Sequence, residues 1–315
     1  MKVLFVGLGS IGARHLKNLV QLAGGLCPPL PLEIHALRSG KKGLLPADIA
    51  ALVRREADSP DALEDWYDIA FVTNPTALHA NTLARLKGRA GCWFIEKPIF
   101  SGLGPSLEAL GLDAASGQKA YVAAPMRWCG VMQALKKELP ALAPYSVRAI
   151  CSSYLPDWRP GVDYRTVYSA RRELGGGVGI DLIHEWDYLA DLFGLPQQMA
   201  CFAGKYSQLE IDSDDLAVYI ARYPGLLAEL HLDYFGRSYR RTLELFCQEG
   251  TATADFGAGT LALPDGRVLH CEEPLNQRYL REMDYFLRYA LTGQGASVNS
   301  PETALRVLSL SLGLG

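Results

Sequence analysis

A run of closely spaced glycines near the start, Gly7-Leu8-Gly9-Ser10-Ile11-Gly12, most constrains the fold. It follows the apolar stretch Lys2–Val6 directly and opens the helical pattern Ile11–Leu22. The first glycine of G-x-G-x-x-G permits a tight turn, and the second lets backbone approach a pyrophosphate. The third allows close helix–sheet packing, while the helix N-terminus offers free N–H groups to an anion. Between a strand and a helix, the motif points to a βαβ unit that holds a dinucleotide rather than to a glycine turn that binds nothing. Gly7, Gly9, Ser10, Ile11 and Gly12 are the candidate contacts.

The first 125 residues continue in that vein. Lys2–Val6, Leu32–Leu37, Ile69–Thr73, Cys92–Ile95 and Ala120–Ala123 read as strands, several apolar on both faces. Helical periodicity lies between them at Ile11–Leu22, Ala47–Arg55, Leu78–Leu86 and Ser106–Ala115. Doubly buried strands separated by helices predict a parallel, doubly wound sheet. After Pro125 the pattern changes. A helix over Val131–Leu139 precedes a strand near Ser146–Tyr154, and a glycine run, Gly175-Gly176-Gly177, opens a helix through about Phe193. Leu216–Arg222, Leu226–Tyr234, Thr242–Cys247 and Thr251–Phe256 then read as strands, with a hairpin turn at Pro264-Asp265-Gly266. Two helices close the chain, Gln277–Leu291 and one after Ser300-Pro301-Glu302, where Ser300 suits the N-cap. The expectation is an α/β protein: a Rossmann dinucleotide-binding domain over 1–124, then an α+β domain over 125–315 with a large open, mainly antiparallel sheet.

Strand two ends at Arg38-Ser39, with Lys41-Lys42 close behind, where NAD-binding versions usually carry an acid on the ribose 2′-hydroxyl. A cation and a hydroxyl there favour NADP over NAD. The alternative is a solvated loop. Composition narrows the partners further. Thirty-one Lys+Arg against 34 Asp+Glu leave a net charge of −3, so no global basic field points to nucleic acid or anionic membrane. No apolar run approaches the ~20 residues of a membrane helix, and the N-terminus reads as a strand rather than a signal peptide. The seven cysteines are odd in number and scattered without a CxxC, which suggests free thiols in a reducing cytoplasm.

Three further segments make the chain resemble the glucose–fructose oxidoreductase/inositol dehydrogenase (Gfo/Idh/MocA) family. Thr73-Asn74-Pro75-Thr76-Ala77-Leu78-His79 is similar to the loop after the family's third strand, and Glu96-Lys97-Pro98 to the signature tripeptide after its fourth. Gly175-Gly176-Gly177 with Asp181, His184 and Asp187 is similar to its glycine-plus-Asp/His helix. Order and spacing extend over nearly the whole chain. The resemblance implies cofactor contacts at Asn74, Pro75, His79, Glu96 and Lys97, a cis Lys97–Pro98 bond, and subunit contacts (homodimer or homotetramer) through the C-terminal sheet.

Lys97 follows an apolar strand end, where a positioned ammonium stabilises developing alkoxide charge. His184 is suited to accept a hydroxyl proton as hydride leaves the same carbon. On one helix, Asp181 and Asp187 would share roughly one face with it, leaving the carboxylates to orient the ring. The family pattern places Asp four residues before His with a Gly between; here Asp181-Leu182-Ile183-His184 is one residue shorter and lacks that Gly. Lys97, His184 and Asp181 are the candidate catalytic residues. No metal site is expected, since His-x-x-Asp offers too few ligands.

Arg127 lies where the family has an arginine near its domain junction, with binding and packing roles both open. The segment from Tyr154 to Arg172 sets rings beside guanidinium groups, notably Trp158-Arg159 and Tyr164-Arg165. Rings suit apolar sugar faces, and arginines suit carboxylate or phosphate; a subunit-packing arm is the competing reading. Arg127, Trp158, Arg159, Tyr164, Arg165 and Asp187 are the candidate substrate contacts. The run is similar to a family branch associated with bacterial surface-polysaccharide and acidic-sugar pathways. The resulting expectation is an NAD(P)-dependent dehydrogenase or reductase acting on a CH–OH group of a sugar, sugar acid or nucleotide sugar. A non-catalytic dinucleotide- or sugar-sensing regulator on the same fold is the alternative.

Overall fold

The computed structural model describes residues 1–39, 43–292 and 297–315. Lys41 and Lys42, read above as possible phosphate partners, lie outside the described residues. The chain divides into two units: Met1–Ala123 with Tyr279–Leu305, and Ala124–Arg278 with Arg306–Gly315.

The first unit is built on six parallel strands: β1 (Lys2–Val6), β2 (Glu33–Leu37), β3 (Arg55–Ala57), β4 (Tyr67–Val72), β5 (Ala90–Ile95) and β6 (Lys119–Val122). Their order is β3-β2-β1-β4-β5-β6. The order reverses direction between β1 and β4, the switch point at whose carboxyl ends open α/β sheets hold ligands. Helices α1 (Ser10–Gly24), α2 (Ala47–Ala50), α3 (His79–Arg85) and α4 (Leu107–Leu110) connect the strands.

Two expected helices are shorter than their periodicity implied. The pattern over Ala47–Arg55 ends at Ala50, and Arg55–Ala57 becomes an edge strand. Backbone pairing decides it: Arg54 N–H donates to the Ile34 carbonyl at 2.8 Å and Arg38 N–H to the Ala57 carbonyl at 2.8 Å, satisfying groups the edge of β2 would otherwise leave open. The pattern over Ser106–Ala115 stops at Leu110 because Gly111 turns left-handed at φ 68° and ends α4.

The second expected domain, 125–315, is interrupted for a physical reason. Helix α8, whose residues span Asn276–Thr292, buries Met283, Phe286 and Leu287 among the side chains of the parallel sheet. Phe286 meets Phe94 edge-on at 5.0 Å and Phe71 at 5.5 Å between ring centroids, beside the Phe5–Phe71 stack at 4.3 Å. Asn299 adds a short backbone-like rung, receiving Val122 N–H at 3.0 Å and donating its side-chain amide to the Val122 carbonyl at 2.9 Å.

The second unit carries α5 (Gly130–Leu142), β7 (Ser146–Tyr154), α6 (Val178–Asp181) and α7 (His184–Phe193). Then come β8 (Gln198–Gly204), β9 (Leu216–Tyr223), β10 (Leu226–Asp233), β11 (Phe235–Cys247), β12 (Gly250–Asp255), β13 (Thr260–Ala262) and β14 (Val268–His270). Its sheet runs β14-β13-β12-β11-β7-β10-β9-β8, antiparallel except where β7 and β10 pair in parallel. Burial alternates strictly along β7, so one face is buried and the other open. The open face bears a hollow of ≈ 460 Å³ lined by Arg148, Ile150, Ser152, Ile220, Glu229 and His231 among others. The last helix, α9 (Pro301–Ser311), starts as expected: Ser300 Oγ accepts from Thr303 N–H at 3.2 Å and Pro301 is its first residue. No helix among the described residues is long and apolar enough to cross a membrane.

Candidate functional site

In the first unit the glycine loop closes against its neighbours through backbone. Gly7 sits at φ 88°, and a Cβ there would lie 2.8 Å from the Asn74 backbone. Gly12 has no room either: a Cβ would stand 2.5 Å from the Gly7 carbonyl oxygen and 2.7 Å from Thr73 Oγ1. Thr73 Oγ1 in turn donates to the Gly7 carbonyl at 2.5 Å, and Gly7 N–H donates to Leu37 O at 3.0 Å. The loop thus ties the ends of β1, β2 and β4 together. Gly9 is the opposite case, with no described atom within 4 Å of a Cβ built on it. Among the described residues no side chain caps α1, and its first turn holds no acid. Open space at Gly9 before an uncapped helix N-terminus fits an anionic pyrophosphate.

The neighbouring loops brace this cradle. Asn74 donates its side-chain amide to Thr82 Oγ1 at 2.8 Å. His79, expected against the cofactor, is fully buried, with Nε2 3.0 Å from the Asn74 carbonyl and Nδ1 3.1 Å from that of Ile99. Burial pushes its pKa down, against the pull of those carbonyls. It therefore bridges the loops after β4 and β5 and holds them together. Pro75 follows Asn74 at the start of the same turn.

Glu96 and Lys97 lie just beyond β5, and the Lys97–Pro98 bond is cis, as expected. Glu96 is held from below by a residue the sequence reading missed. His15, fully buried on α1, places Nε2 2.5 Å from Glu96 Oε1, while Glu96 Oε2 accepts from Lys97 N–H at 3.1 Å. Burial pushes the Glu96 carboxyl up, but the His15 hydrogen bond and charge, with Lys97, bring it net below the ordinary range. Glu96 so fixes the backbone that carries Lys97. The only sequence hint was a polar residue on an otherwise core-facing stripe of α1, and nothing there named its partner 81 positions away.

Arg38 is also differently placed from expectation. Its guanidinium donates to Glu56 Oε1 at 2.7 Å and to the Gly43 carbonyl at 3.0 Å. Its side chain is 11% exposed against 45% for Glu56, while Ser39 is exposed.

In the second unit the Asp/His motif is not one helix. α6 ends at Asp181 and α7 starts at His184, with Leu182-Ile183 as a turn between them, so the shared-face geometry expected for Asp181 and His184 does not form. Asp181 is buried and accepts from Tyr168 Oη at 2.6 Å and from Tyr234 Oη at 2.6 Å. Burial of both hydroxyl ends, then the Asp181 charge, pushes the two phenols well above the ordinary tyrosine range, so both act as neutral donors. Asp187, expected to orient His184 or meet substrate, gives both oxygens to Arg127, at 2.9 Å to Nε and 2.7 Å to Nη2. Arg127 also reaches Asp191 at 3.3 Å and is only 3% exposed. Of the two roles left open for Arg127, packing is the one its surroundings occupy. Glu185 anchors the same helix from another side, accepting from Arg241 Nε at 2.5 Å. His184 itself is half-buried at the first residue of α7.

The Arg/Tyr segment forms short turns of its own. Trp158 is 37% exposed, donates Nε1–H to Ser153 Oγ at 3.1 Å and meets Tyr234 edge-on at 5.3 Å. Tyr164 Oη accepts from Glu210 N–H at 3.2 Å, and Arg165 is ion-paired with Asp163 at 2.9 Å and Glu210 at 3.2 Å. Trp158, exposed Arg159 and Tyr164 rim a hollow of ≈ 10 Å³, about one water and far too small for a sugar ring. Among the described residues no group of His, Cys, Asp or Glu has the makings of a metal site.

No protein-family model and no curated protein matches the sequence. Solved structures do share the fold. UDP-N-acetylglucosamine 3-dehydrogenase GnnA from Acidithiobacillus ferrooxidans is 19% identical with a TM-score of 0.76, covering 100% of this chain and 96% of that one. The WlbA dehydrogenase from Bordetella pertussis, in complex with NADH and UDP-GlcNAcA, is 17% identical with a TM-score of 0.75, covering 100% and 95%. The myo-inositol 2-dehydrogenase from Lactobacillus plantarum is 15% identical with a TM-score of 0.74, covering 100% and 96%. At these identities the likeness establishes the fold, and it is the fold implied by the resemblance drawn from the sequence.

Proposed function

We propose that this chain is a nicotinamide-dinucleotide-dependent oxidoreductase acting on a carbinol or carbonyl carbon of a sugar, sugar acid or nucleotide sugar. One observation carries the reading: an uncapped helix N-terminus behind an open glycine, locked by backbone at the switch point of a parallel sheet. That cradle suits a pyrophosphate, and three dehydrogenases share the fold. When bound, the nicotinamide supplies the hydride acceptor or donor. The chain's own groups supply the rest. Gly7, Gly9, Ser10, Ile11 and Gly12 hold the dinucleotide with Asn74 and Pro75, and Glu96 fixes the backbone of Lys97. Lys97 donates to the oxygen on which charge develops, and His184 exchanges that oxygen's proton. NADP, favoured on sequence grounds, competes with NAD for this cradle; the choice between them turns on Glu56, which pairs with Arg38 at 2.7 Å. The open face of the second sheet, with Phe202, Ile220 and Leu227 exposed on it, suits contact with a second copy of the chain. Seven scattered thiols without a CxxC support work in a reducing cytoplasm.

The alternative, a dinucleotide- or sugar-sensing protein without turnover, has one observation in its favour: the Asp181 and Asp187 carboxylates are both taken by protein donors. A turnover screen of sugars, nucleotide sugars and inositols, with both cofactors in both directions, separates the two. The enzyme reading expects turnover that falls roughly 10²–10³-fold in Lys97→Ala with cofactor affinity within a few-fold. His184→Asn should lose roughly 10²–10⁴ and flatten the rise of kcat/KM for oxidation with pH. Cofactor binding without turnover of any substrate would favour the sensor.

A further inference from the structure

The corner of the first unit that should meet the adenosine ribose is built from two strands. Gly7 N–H reaches the Leu37 carbonyl at 3.0 Å, so the residue after it, Arg38, stands beside the glycine loop. β3 runs parallel to β2 with Ala36 opposite Glu56, and Arg38 N–H is tied to Ala57 O at 2.8 Å. Glu56 therefore stands beside the position where the usual ribose-binding acid would end β2. Its Oε1 accepts from Arg38 Nη1 at 2.7 Å, and Arg38 Nη2 is spent on the Gly43 carbonyl at 3.0 Å. Of the pair, the carboxylate is the member that faces solvent, 45% exposed against 11%.

We propose that Glu56, and not Arg38, sets the cofactor preference, and that it selects NAD(H) by accepting the ribose 2′-hydroxyl and repelling a 2′-phosphate. The inference rests on the dinucleotide reading above and names the specificity of that same site. A phosphate monoester brings about −1.5 to −2 charges at neutral pH. To be bound here it must either displace Glu56 from the guanidinium or lie against the carboxylate. A 2′-hydroxyl meets neither obstacle, because it is a donor and Glu56 retains acceptor capacity beside its arginine. The cation that favoured NADP in the sequence is thus neutralised across the strand pair by a residue 18 positions later.

Fluorescence titration of the full chain with NADH and NADPH tests this. NADH should bind at least about tenfold more tightly, which corresponds to about 1.4 kcal/mol. Glu56→Gln should tighten NADPH about tenfold while weakening NADH by no more than a few-fold, and adding Arg38→Ala should remove the gain. A second measurement needs no variant: because repulsion between charges is screened by salt, NADPH should gain on NADH as ionic strength rises. Wild-type preference for NADPH, or a ratio unchanged by Glu56→Gln, overturns the inference while leaving dinucleotide binding intact. So does NADPH losing ground to NADH as salt rises. Binding of neither nucleotide overturns the dinucleotide reading itself, and this inference falls with it.

Discussion

The two units hold their candidate residues by different means. In the first, the glycine loop is fixed at its own backbone groups: Gly7 N–H to Leu37, the Gly7 and Val6 carbonyls to the Thr73 hydroxyl, and Gly12 with no room for a Cβ. In the second, α7 and the end of α6 are fixed by charged and phenolic side chains: Arg127 to Asp187 and Asp191, Arg241 to Glu185, Tyr168 and Tyr234 to Asp181. A backbone-built site depends on where glycine is allowed. A side-chain-built site depends on partners that sequence order does not announce. The first should therefore fail on adding one methyl group, and the second on deleting one charge.

Deleting the charge should have the larger effect on stability. Arg127→Leu leaves the buried Asp187 carboxylate without its two guanidinium bonds, and breaking a buried pair typically costs about 3–5 kcal/mol. Urea unfolding should register that loss, and Arg127→Leu with Asp187→Leu should recover a large part of it. A loss under about 1 kcal/mol, the range of surface pairs, would mean that α7 is held by packing alone and would erase the contrast between the units.

Adding the methyl should act more mildly and in two separable ways. Gly12→Ala drives a Cβ to 2.5 Å from the Gly7 carbonyl oxygen, a clash worth about 1–3 kcal/mol. Gly9→Ala meets nothing within 4 Å, so its stability should stay within about 0.5 kcal/mol. The same methyl stands where the pyrophosphate should approach, so dinucleotide affinity should drop about tenfold, a change of about 1.4 kcal/mol. Thermal unfolding and nucleotide titration on both variants separate packing from binding. Equal affinity in Gly9→Ala and wild type would remove Gly9 from the site.

That division explains what was legible in the sequence. The parallel sheet, the glycine loop, β1 with its limits and the cap at Ser300 follow from local rules of period, backbone approach and hydrogen bonding. The edge strand Arg55–Ala57 does not, because it forms to satisfy β2 and its first residue, Arg55, reads as the end of a helix. Nor does the break between α6 and α7, which leaves Asp181 to two tyrosines, one of them 53 positions away. The roles expected of His79, Arg127 and Asp187 came from matching positions; their burial and partners, 60 positions apart for Arg127 and Asp187, come only with the fold.

The smallest effect probes where the two modes of construction meet inside the first unit, at Glu96. Its carboxylate is a charge held by His15, yet what it positions is the backbone N–H of Lys97. Because the folded-state pKa of Glu96 is lowered, with His15 and Lys97 overcoming burial, the folded state binds its proton less readily than the unfolded chain. The carboxylate's contribution is therefore fully present above the unfolded value near 4.5 and is lost as pH falls through the lower folded one. Glu96→Gln keeps the shape and removes the charge. At pH 7 it should lower stability by about 1.5 kcal/mol, the lower end for one hydrogen bond to a charged group. Its deficit relative to wild type should shrink as unfolding is repeated at successively lower pH below 4.5. Stability equal to wild type at pH 7 would show that Glu96 acts through its shape and not its charge, and the first unit would then be backbone-built throughout.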